Sequence, residues 1–211
     1  MTEHGQHSPD HADHPHSAAE WDERYSSADR LWTAQANPAL VREAADLSPG
    51  RALDVGSGEG ADARWLADQG WQVVAVDISQ VALDRAAEVD SRETITWQRA
   101  DLTVDDVPGA PFDLVALHYF PVDIAQRDVI AKLVGAVAPG GTLLVVAHDP
   151  EGIRAHGFDP DAYFQPKDVA EQFADDLDVE ILETVERGRP AGGPTGPRHM
   201  HDVVLKARKR G

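Results

Sequence analysis

The 211-residue chain contains no cysteine, and aromatic residues make up only 6% of it. Without thiols, disulfide bonds, iron–sulfur clusters, thiolate zinc sites and cysteine nucleophiles are excluded. No apolar run approaches the roughly 20 residues of a membrane-spanning helix. The polar start, Met1 to Pro15, lacks the apolar core of a secretory signal. These absences predict a cytoplasmic protein without a membrane partner.

Positive charge is also scarce. The chain has 19 Lys and Arg against 37 Asp and Glu, a net charge of −18 at pH 7. An acidic surface of this kind repels phosphate backbones, so no nucleic-acid partner is expected. Apolar residues nevertheless make up 42% of the chain, which is enough for a sizeable core, and the length suits one domain.

Histidine is concentrated at the start of the chain. Half of the ten histidines lie within residues 1–17: His4, His7, His11, His14 and His16. This segment has almost no large apolar groups, so we predict a disordered tail. Clustered imidazoles bind zinc, nickel or copper, but the spacing here favours a solvated segment, and no metal site is predicted. The rest is divided into an N-terminal helical cap at 18–50 and a sheet core at 51–211.

Strand and helix signals alternate along this core. Strands are predicted at Arg51–Val55, Gln72–Asp77, Thr94–Arg99, Phe112–His118 and Thr142–Ala147, and helices at Ala61–Gln69, Gln80–Val89, 129–137 and Pro166–Phe173. The alternation predicts a doubly wound, mostly parallel α/β sheet that is covered on both faces. Val179–Val185 and Asp202–Ala207 have no helix between them, so these last two strands should pair antiparallel.

The N-terminal cap consists of the aromatic segment Trp21–Tyr25 and a helix from about Pro38 to Leu47. Neither has a strand next to it in the sequence. We expect both to cover the carboxyl edge of the sheet, where ligands bind in open α/β folds.

A glycine-rich turn follows the first strand in the sequence LDVGSGEGA, residues 53–61. Gly56 and Gly58 let the backbone turn sharply and let a ligand lie against the main chain without meeting a Cβ atom. Asp77 ends the second strand, where a ribose would be held. These features alone suit NAD and S-adenosylmethionine equally.

Two acidic residues favour S-adenosylmethionine. Asp54 lies inside the first strand, two residues before Gly56. It suits a ligand that carries an ammonium and a sulfonium group, whereas a pyrophosphate would be repelled by Asp54 and Glu59. Asp101, after the third strand, can accept a hydrogen bond from an adenine amino group.

With these motifs the chain resembles the class I S-adenosylmethionine-dependent methyltransferases over about residues 20–208. The match comprises LDVGSGEG, the second-strand sequence VAVD, Ala100-Asp101, and Ala138–Gly141 before the fifth strand. The resemblance implies a seven-stranded Rossmann-like sheet in the order 3-2-1-4-5-7-6 with strand 7 antiparallel, and S-adenosylmethionine as cofactor. Residues 21–32 are similar to the tellurite-resistance and thiopurine methyltransferase branch. Ala61-Asp62 departs from that branch, which usually has a basic and an amide residue there.

The resemblance and the residues together predict a cofactor site and one candidate base. Asp77 would hold the ribose hydroxyls, Asp101 the adenine amino group, and Ile78 the adenine face. His118, at the carboxyl end of the fourth strand, is the candidate catalytic residue and can also touch the methionine end of the cofactor. The predicted cofactor-binding residues are Trp21, Tyr25, Asp54, Gly56, Ser57, Gly58, Asp77, Ile78, Ala100, Asp101, Leu102 and His118.

The predicted function is methyl transfer to a small-molecule acceptor, with soft nucleophiles such as thiol, selenium or tellurium species favoured. The segment 150–165, which contains Phe158, Tyr163 and Phe164, is expected to fold over the substrate. Two alternatives stay open. One is a methyltransferase-like binding protein that handles metal through its tail, and the other is an NAD-linked oxidoreductase.

Overall fold

The computed structural model describes residues 17–155, 159–186 and 201–211. Except for Ser17, the predicted tail lies outside these residues, as do Phe158 and residues 188–197. Within the described ranges, none of the helices combines the length and the apolar character that crossing a bilayer requires.

The described residues form strands and helices in alternation. The strands are β1 (Arg51–Val55), β2 (Gln72–Asp77), β3 (Ile95–Arg99), β4 (Phe112–His118), β5 (Val137–His148), β6 (Leu177–Glu186) and β7 (His201–Lys209). The helices are α1 (Ala18–Ser26), α2 (Pro38–Ala44), α3 (Ala61–Asp68), α4 (Gln80–Val89), α5 (Arg127–Ala136), α6 (Pro150–Ala155) and α7 (Pro166–Gln172), with a 3₁₀ turn at Pro160–Ala162.

All seven strands belong to one sheet in the order β3-β2-β1-β4-β5-β7-β6. Strands β1 to β5 run parallel to their neighbours, and β7 runs antiparallel to both β5 and β6. This confirms the predicted fold. The reversal at β7 agrees with the absence of a helix signal between the last two strands in the sequence, since a parallel crossover would need a helix.

Strand β5 begins five residues before the predicted start at Thr142. Val137 pairs with Phe112, the register then shifts, and Thr142 pairs with Leu114. Gly140 provides a left-handed backbone at φ +76° within this irregularity. Pro139-Gly140-Gly141 was expected to precede the fifth strand, but it lies within β5, where the register shift keeps the strand in the sheet.

Helices pack on both faces of the sheet. On one face, Leu133 of α5 packs in a cluster with Leu53 and Phe112. On the other face, Leu40 of α2 and Leu66 of α3 pack in a second cluster. Because the sheet is buried on both sides, its polar groups collect at the carboxyl ends of β1, β2 and β4.

Helix α1 lies against this carboxyl edge. It begins with a capping box in which Ser17 and Glu20 satisfy each other's backbone N–H groups. Further along, Asp22 accepts hydrogen bonds from the Ser79 hydroxyl (2.5 Å) and from the backbone N–H of Val81 (3.2 Å). These bonds attach α1 to the start of α4, next to the glycine turn.

Candidate cofactor and active site

The glycine turn after β1 has a backbone that glycine adopts most easily. Gly56, Gly58 and Gly60 have φ values of +67°, +52° and +78°, in the left-handed region that a Cβ atom disfavours. Ser57 N–H donates to the Val76 carbonyl at 2.9 Å. The turn is therefore held against the end of β2.

Two aromatic side chains cover the turn. A Cβ atom on Gly58 would lie 2.8 Å from the Tyr25 hydroxyl, and one on Gly56 would lie 2.9 Å from the Phe120 ring. Trp32 Nε1 donates to the Tyr25 hydroxyl at 3.0 Å. Burial, with the charge of Asp77 second, raises the pKa of Tyr25, so its phenol stays neutral. Tyr25 thus lies against the glycine turn, and its contact with the cofactor stays a prediction, whereas Phe120 was not predicted.

Asp77 is oriented by two backbone groups at the end of β2. Its Oδ2 accepts the Gly58 N–H and its Oδ1 accepts the Ser79 N–H, both at 2.8 Å. The side chain is buried, and burial raises its pKa despite these bonds. Each carboxylate oxygen has a second lone pair, so the arrangement can also accept bonds from ribose hydroxyls.

The predicted adenine contacts lie beside the end of β2. Ala100 and Leu102 are buried, and Ala100 N–H donates to the Asp77 carbonyl at 3.0 Å. Ile78 is half-buried. Asp101 Oδ1 accepts the Thr103 hydroxyl at 2.6 Å and its N–H at 3.0 Å, which forms a local turn. Ala100 is therefore bonded directly to β2, and the contact of Asp101 with adenine stays a prediction.

A second polar cluster joins β1, α3 and β4. His118 Nδ1 lies 2.6 Å from Asp62 Oδ2. Asp54 completes the cluster, since one ligand atom of each of the three residues lies within 4.8 Å of the others. Asp62 Oδ1 also accepts the Asn37 N–H at 2.6 Å. Asp62 was not predicted as a site residue, although it stands where the sequence departs from the tellurite-resistance branch.

The pKa values of two residues in this cluster, Asp54 and His118, are raised. Burial, and then the Asp62 charge, raises the pKa of Asp54 to about 7, although His118 opposes the shift. Burial by itself would lower the pKa of His118, but Asp62, Asp54 and Asp202 outweigh that effect and raise it. The cluster therefore favours an imidazolium paired with Asp62 and an Asp54 that changes charge near neutral pH.

Unpartnered polar atoms concentrate around the turn. Six buried side-chain atoms in the described ranges have no hydrogen-bond partner, and three of them belong to this site: Asp54 Oδ2, Ser57 Oγ and His118 Nε2. Buried polar atoms are nearly always hydrogen-bonded, so such a concentration points to a polar ligand. Two acceptors and an imidazole nitrogen beside a glycine turn suit the charged amino-acid end of S-adenosylmethionine.

Comparison with known proteins agrees with this geometry. Residues 52–141 match the family described as methyltransferase domain. Residues 52–141 therefore carry a methyltransferase domain. This confirms the predicted class, and the narrower branch stays a prediction.

Three known proteins are similar to this chain in sequence or in structure. An uncharacterized methyltransferase of Mycobacterium tuberculosis is 36% identical over 131 residues, which are 60% of this chain and 65% of that protein. A tRNA 5-carboxymethoxyuridine methyltransferase of Escherichia coli is 28% identical over 182 residues, 78% of this chain and 70% of that protein. The N-methyltransferase NodS of Bradyrhizobium japonicum, solved with S-adenosylhomocysteine, has a TM-score of 0.69 at 21% identity and covers 92% and 99% of the two chains. The chain thus spans about two thirds of the length of the mycobacterial relative.

A further group of polar residues borders the methyltransferase site at the ends of β4, β5 and β7. The Tyr119 hydroxyl donates to Asp202 Oδ2 at 2.7 Å, and the Tyr119 ring stacks on His148 at 4.3 Å. Tyr119 has φ +53°, and no other non-glycine residue of the described ranges has a positive φ. Strained backbone of this kind clusters at functional sites. The sequence pattern did not single out Tyr119 or Asp202.

The predicted covering segment is partly anchored in the core. Phe164 is buried in the main hydrophobic cluster, and its N–H donates to the Val122 carbonyl at 2.8 Å. Tyr163 forms a β-bridge with Asp123. Phe164 thus supplies apolar surface to the core, and the fold of segment 150–165 over the substrate stays a prediction.

Asp54 makes the stability of the ligand-free protein depend on pH. Between about pH 4 and pH 7 the folded state keeps a proton on Asp54 that the unfolded state has released, since an unfolded Asp titrates near 3.9. The free energy of unfolding therefore falls as pH rises through this window. We expect Asp54→Asn to be more stable than the wild type at pH 8 by roughly 2 kcal/mol, and to differ little at pH 4.

Urea unfolding at pH 4, 6 and 8 measures this difference. Asp84→Asn, on the exposed face of α4, is the matched control and should show no such trend. A difference between Asp54→Asn and wild type that stays constant with pH would contradict the assignment.

Proposed function

We propose that this protein transfers the methyl group of S-adenosylmethionine to a small-molecule acceptor in the cytoplasm, and that the acceptor is a soft nucleophile. The observation that carries the cofactor part is the cluster of unpartnered buried atoms beside the glycine turn, with Asp77 oriented next to it. When bound, S-adenosylmethionine supplies an electrophilic methyl group on a sulfonium.

The residues of the chain hold and orient the two reactants. The backbone at Gly56 and Gly58 passes under the cofactor, Asp77 accepts the ribose hydroxyls, and Asp101 accepts the adenine amino group. Ile78, Ala100 and Leu102 pack around the adenine. Trp21 and Tyr25, whose ring centroids are 5.9 Å apart, exclude water from above. Orientation and exclusion of water then provide most of the rate acceleration.

The charge of the chain supports a small acceptor. A net charge of −18 opposes the approach of a polyanion such as tRNA, even though the relative in Escherichia coli is named for a tRNA substrate. The similarity of residues 21–32 to the tellurite-resistance and thiopurine branch supports sulfur or metalloid acceptors.

The burial of His118 also supports a soft acceptor. Its side chain is only 5% exposed and is paired with Asp62, so it is poorly placed to remove a proton from a substrate. A thiolate or a reduced metalloid anion already has a reactive lone pair and needs no strong base.

An acceptor panel tests the proposal. Thiols, selenols, tellurite with a reductant, phenols, amines and tRNA are each incubated with S-adenosylmethionine, and release of S-adenosylhomocysteine is measured. We expect turnover with the soft small molecules. Turnover with tRNA alone would contradict the acceptor, while calorimetric titration that shows binding of NADH but not of S-adenosylhomocysteine would contradict the cofactor.

A further inference from the structure

An acid–imidazole pair, Asp62 and His118, lies at the carboxyl end of β4. The methyl transfer proposed above gives this pair no role. We infer that Asp62 and His118 form the receptor for the α-carboxylate of the cofactor, with His118 as the binding group and Asp62 as its positioning residue. The inference rests on the proposed function, since it concerns the amino-acid end of S-adenosylmethionine.

The charge balance of the cluster supports this assignment. The amino-acid end of the cofactor carries an ammonium and a carboxylate, so its receptor needs an anion and a cation. Asp54, with its unpartnered Oδ2, supplies the anion. His118 lies in the same cluster, with a ligand atom within 4.8 Å of those of Asp54 and Asp62, and its imidazole can carry a positive charge. His118 is therefore the available partner for the carboxylate.

The orientation of His118 leaves one nitrogen for a ligand. Nδ1 lies 2.6 Å from Asp62 Oδ2, whereas Nε2 is buried without a hydrogen-bond partner. An imidazolium donates from both nitrogens. With one N–H engaged by Asp62, the other can donate to a carboxylate oxygen, which is a charge-assisted bond.

Asp62 is itself fixed from the opposite side. Its Oδ1 accepts the N–H of Asn37, the residue that caps α2. Asp62 thus joins the N-terminal cap to β4 and sets the direction of the His118 ring. It also keeps the imidazole positively charged, because a carboxylate at this distance opposes loss of the proton.

Two probes that differ only in the carboxylate provide the test. S-adenosylhomocysteine carries the complete amino-acid end, whereas its decarboxylated analogue, S-adenosyl-3-thiopropylamine, keeps the adenosine, the thioether and the amine. Calorimetric titration of wild type and His118→Gln measures both affinities. We expect His118→Gln to weaken S-adenosylhomocysteine binding about tenfold and to leave the affinity for the analogue within about twofold.

Two further variants make the result decisive. Asp62→Asn should lower the affinity for S-adenosylhomocysteine selectively as well, and it decides the test if His118→Gln does not fold. His201→Gln, an exposed histidine at the start of β7, is the matched control and should behave like wild type.

The outcomes separate this inference from the proposed function. Equal losses for both probes, or no loss for either, in a wild type that binds S-adenosylhomocysteine would overturn the carboxylate receptor alone. A wild type that binds neither probe would overturn the proposed function and this assignment together.

Discussion

Replacement of Gly58 by valine is expected to lower the affinity for S-adenosylhomocysteine at least about a hundredfold, which corresponds to about 2.7 kcal/mol. The backbone of Gly58 is left-handed, at φ +52°, and a Cβ atom there would lie 2.8 Å from the Tyr25 hydroxyl. A branched side chain would therefore displace Tyr25 and fill the space between the turn and α1. It would also move the N–H that Asp77 accepts.

Gly140→Val is the matched control for backbone strain. Gly140 has a similar φ of +76°, but a Cβ atom there would have no neighbour within 4 Å. Both substitutions should lower the melting temperature, and only Gly58→Val should abolish binding in calorimetric titration. Normal binding by a folded Gly58→Val protein would show that the glycines form a turn and no ligand cradle.

Asp77→Ala is expected to weaken S-adenosylhomocysteine binding ten- to a hundredfold. A hydrogen bond to a charged group contributes roughly 1.5–3 kcal/mol, and the predicted ribose bonds would be lost. The variant also leaves the N–H groups of Gly58 and Ser79 without their acceptor. Some loss of stability is therefore expected beside the loss of affinity.

Binding is compared with that of Asp84→Ala, which removes an exposed acid from α4. Asp77→Asn serves as a second variant, since it keeps the shape of the side chain and one of its two backbone bonds. If folded Asp77→Ala and Asp77→Asn bind as tightly as wild type, Asp77 orients the turn but does not hold the ribose.

Local sequence signals were sufficient to predict the parts of the site that are formed by residues close together in the chain. The left-handed turn needs glycines, and these stand at alternating positions, Gly56, Gly58 and Gly60, directly after an apolar strand. Asp77 is the last residue of its strand, so its place at the carboxyl edge could be predicted. The start of β5 could not be predicted from local signals, because Pro-Gly-Gly is typical of a turn outside a strand. The pairing of Val137 with Phe112 places the start of β5 before this turn sequence.

Two contacts between residues far apart in the chain could not be predicted from the sequence, and both for the same reason. Asp62 and His118 are 56 residues apart, and Tyr119 and Asp202 are 83 apart. Neither pair forms a motif, since each becomes a pair only when the sheet brings its elements together. The burial of Phe164 in the core could not be predicted either, because a single aromatic residue in a loop suits a substrate cover as well as a core contact.

The sequence by itself determined the alternation of strands and helices and the residues of the glycine turn, because these depend on short-range patterns of apolar residues, glycines and strand-ending acids. The class of domain and the strand order were predicted from the resemblance to a known family. The tertiary structure decided which charges meet. It placed Asp62 against His118 and Asp54 within one cluster, where burial and neighbouring charges raise the pKa of Asp54, and neighbouring charges outweigh burial to raise the pKa of His118. Such interactions depend on distance and burial across separate elements, which no spacing along the chain records.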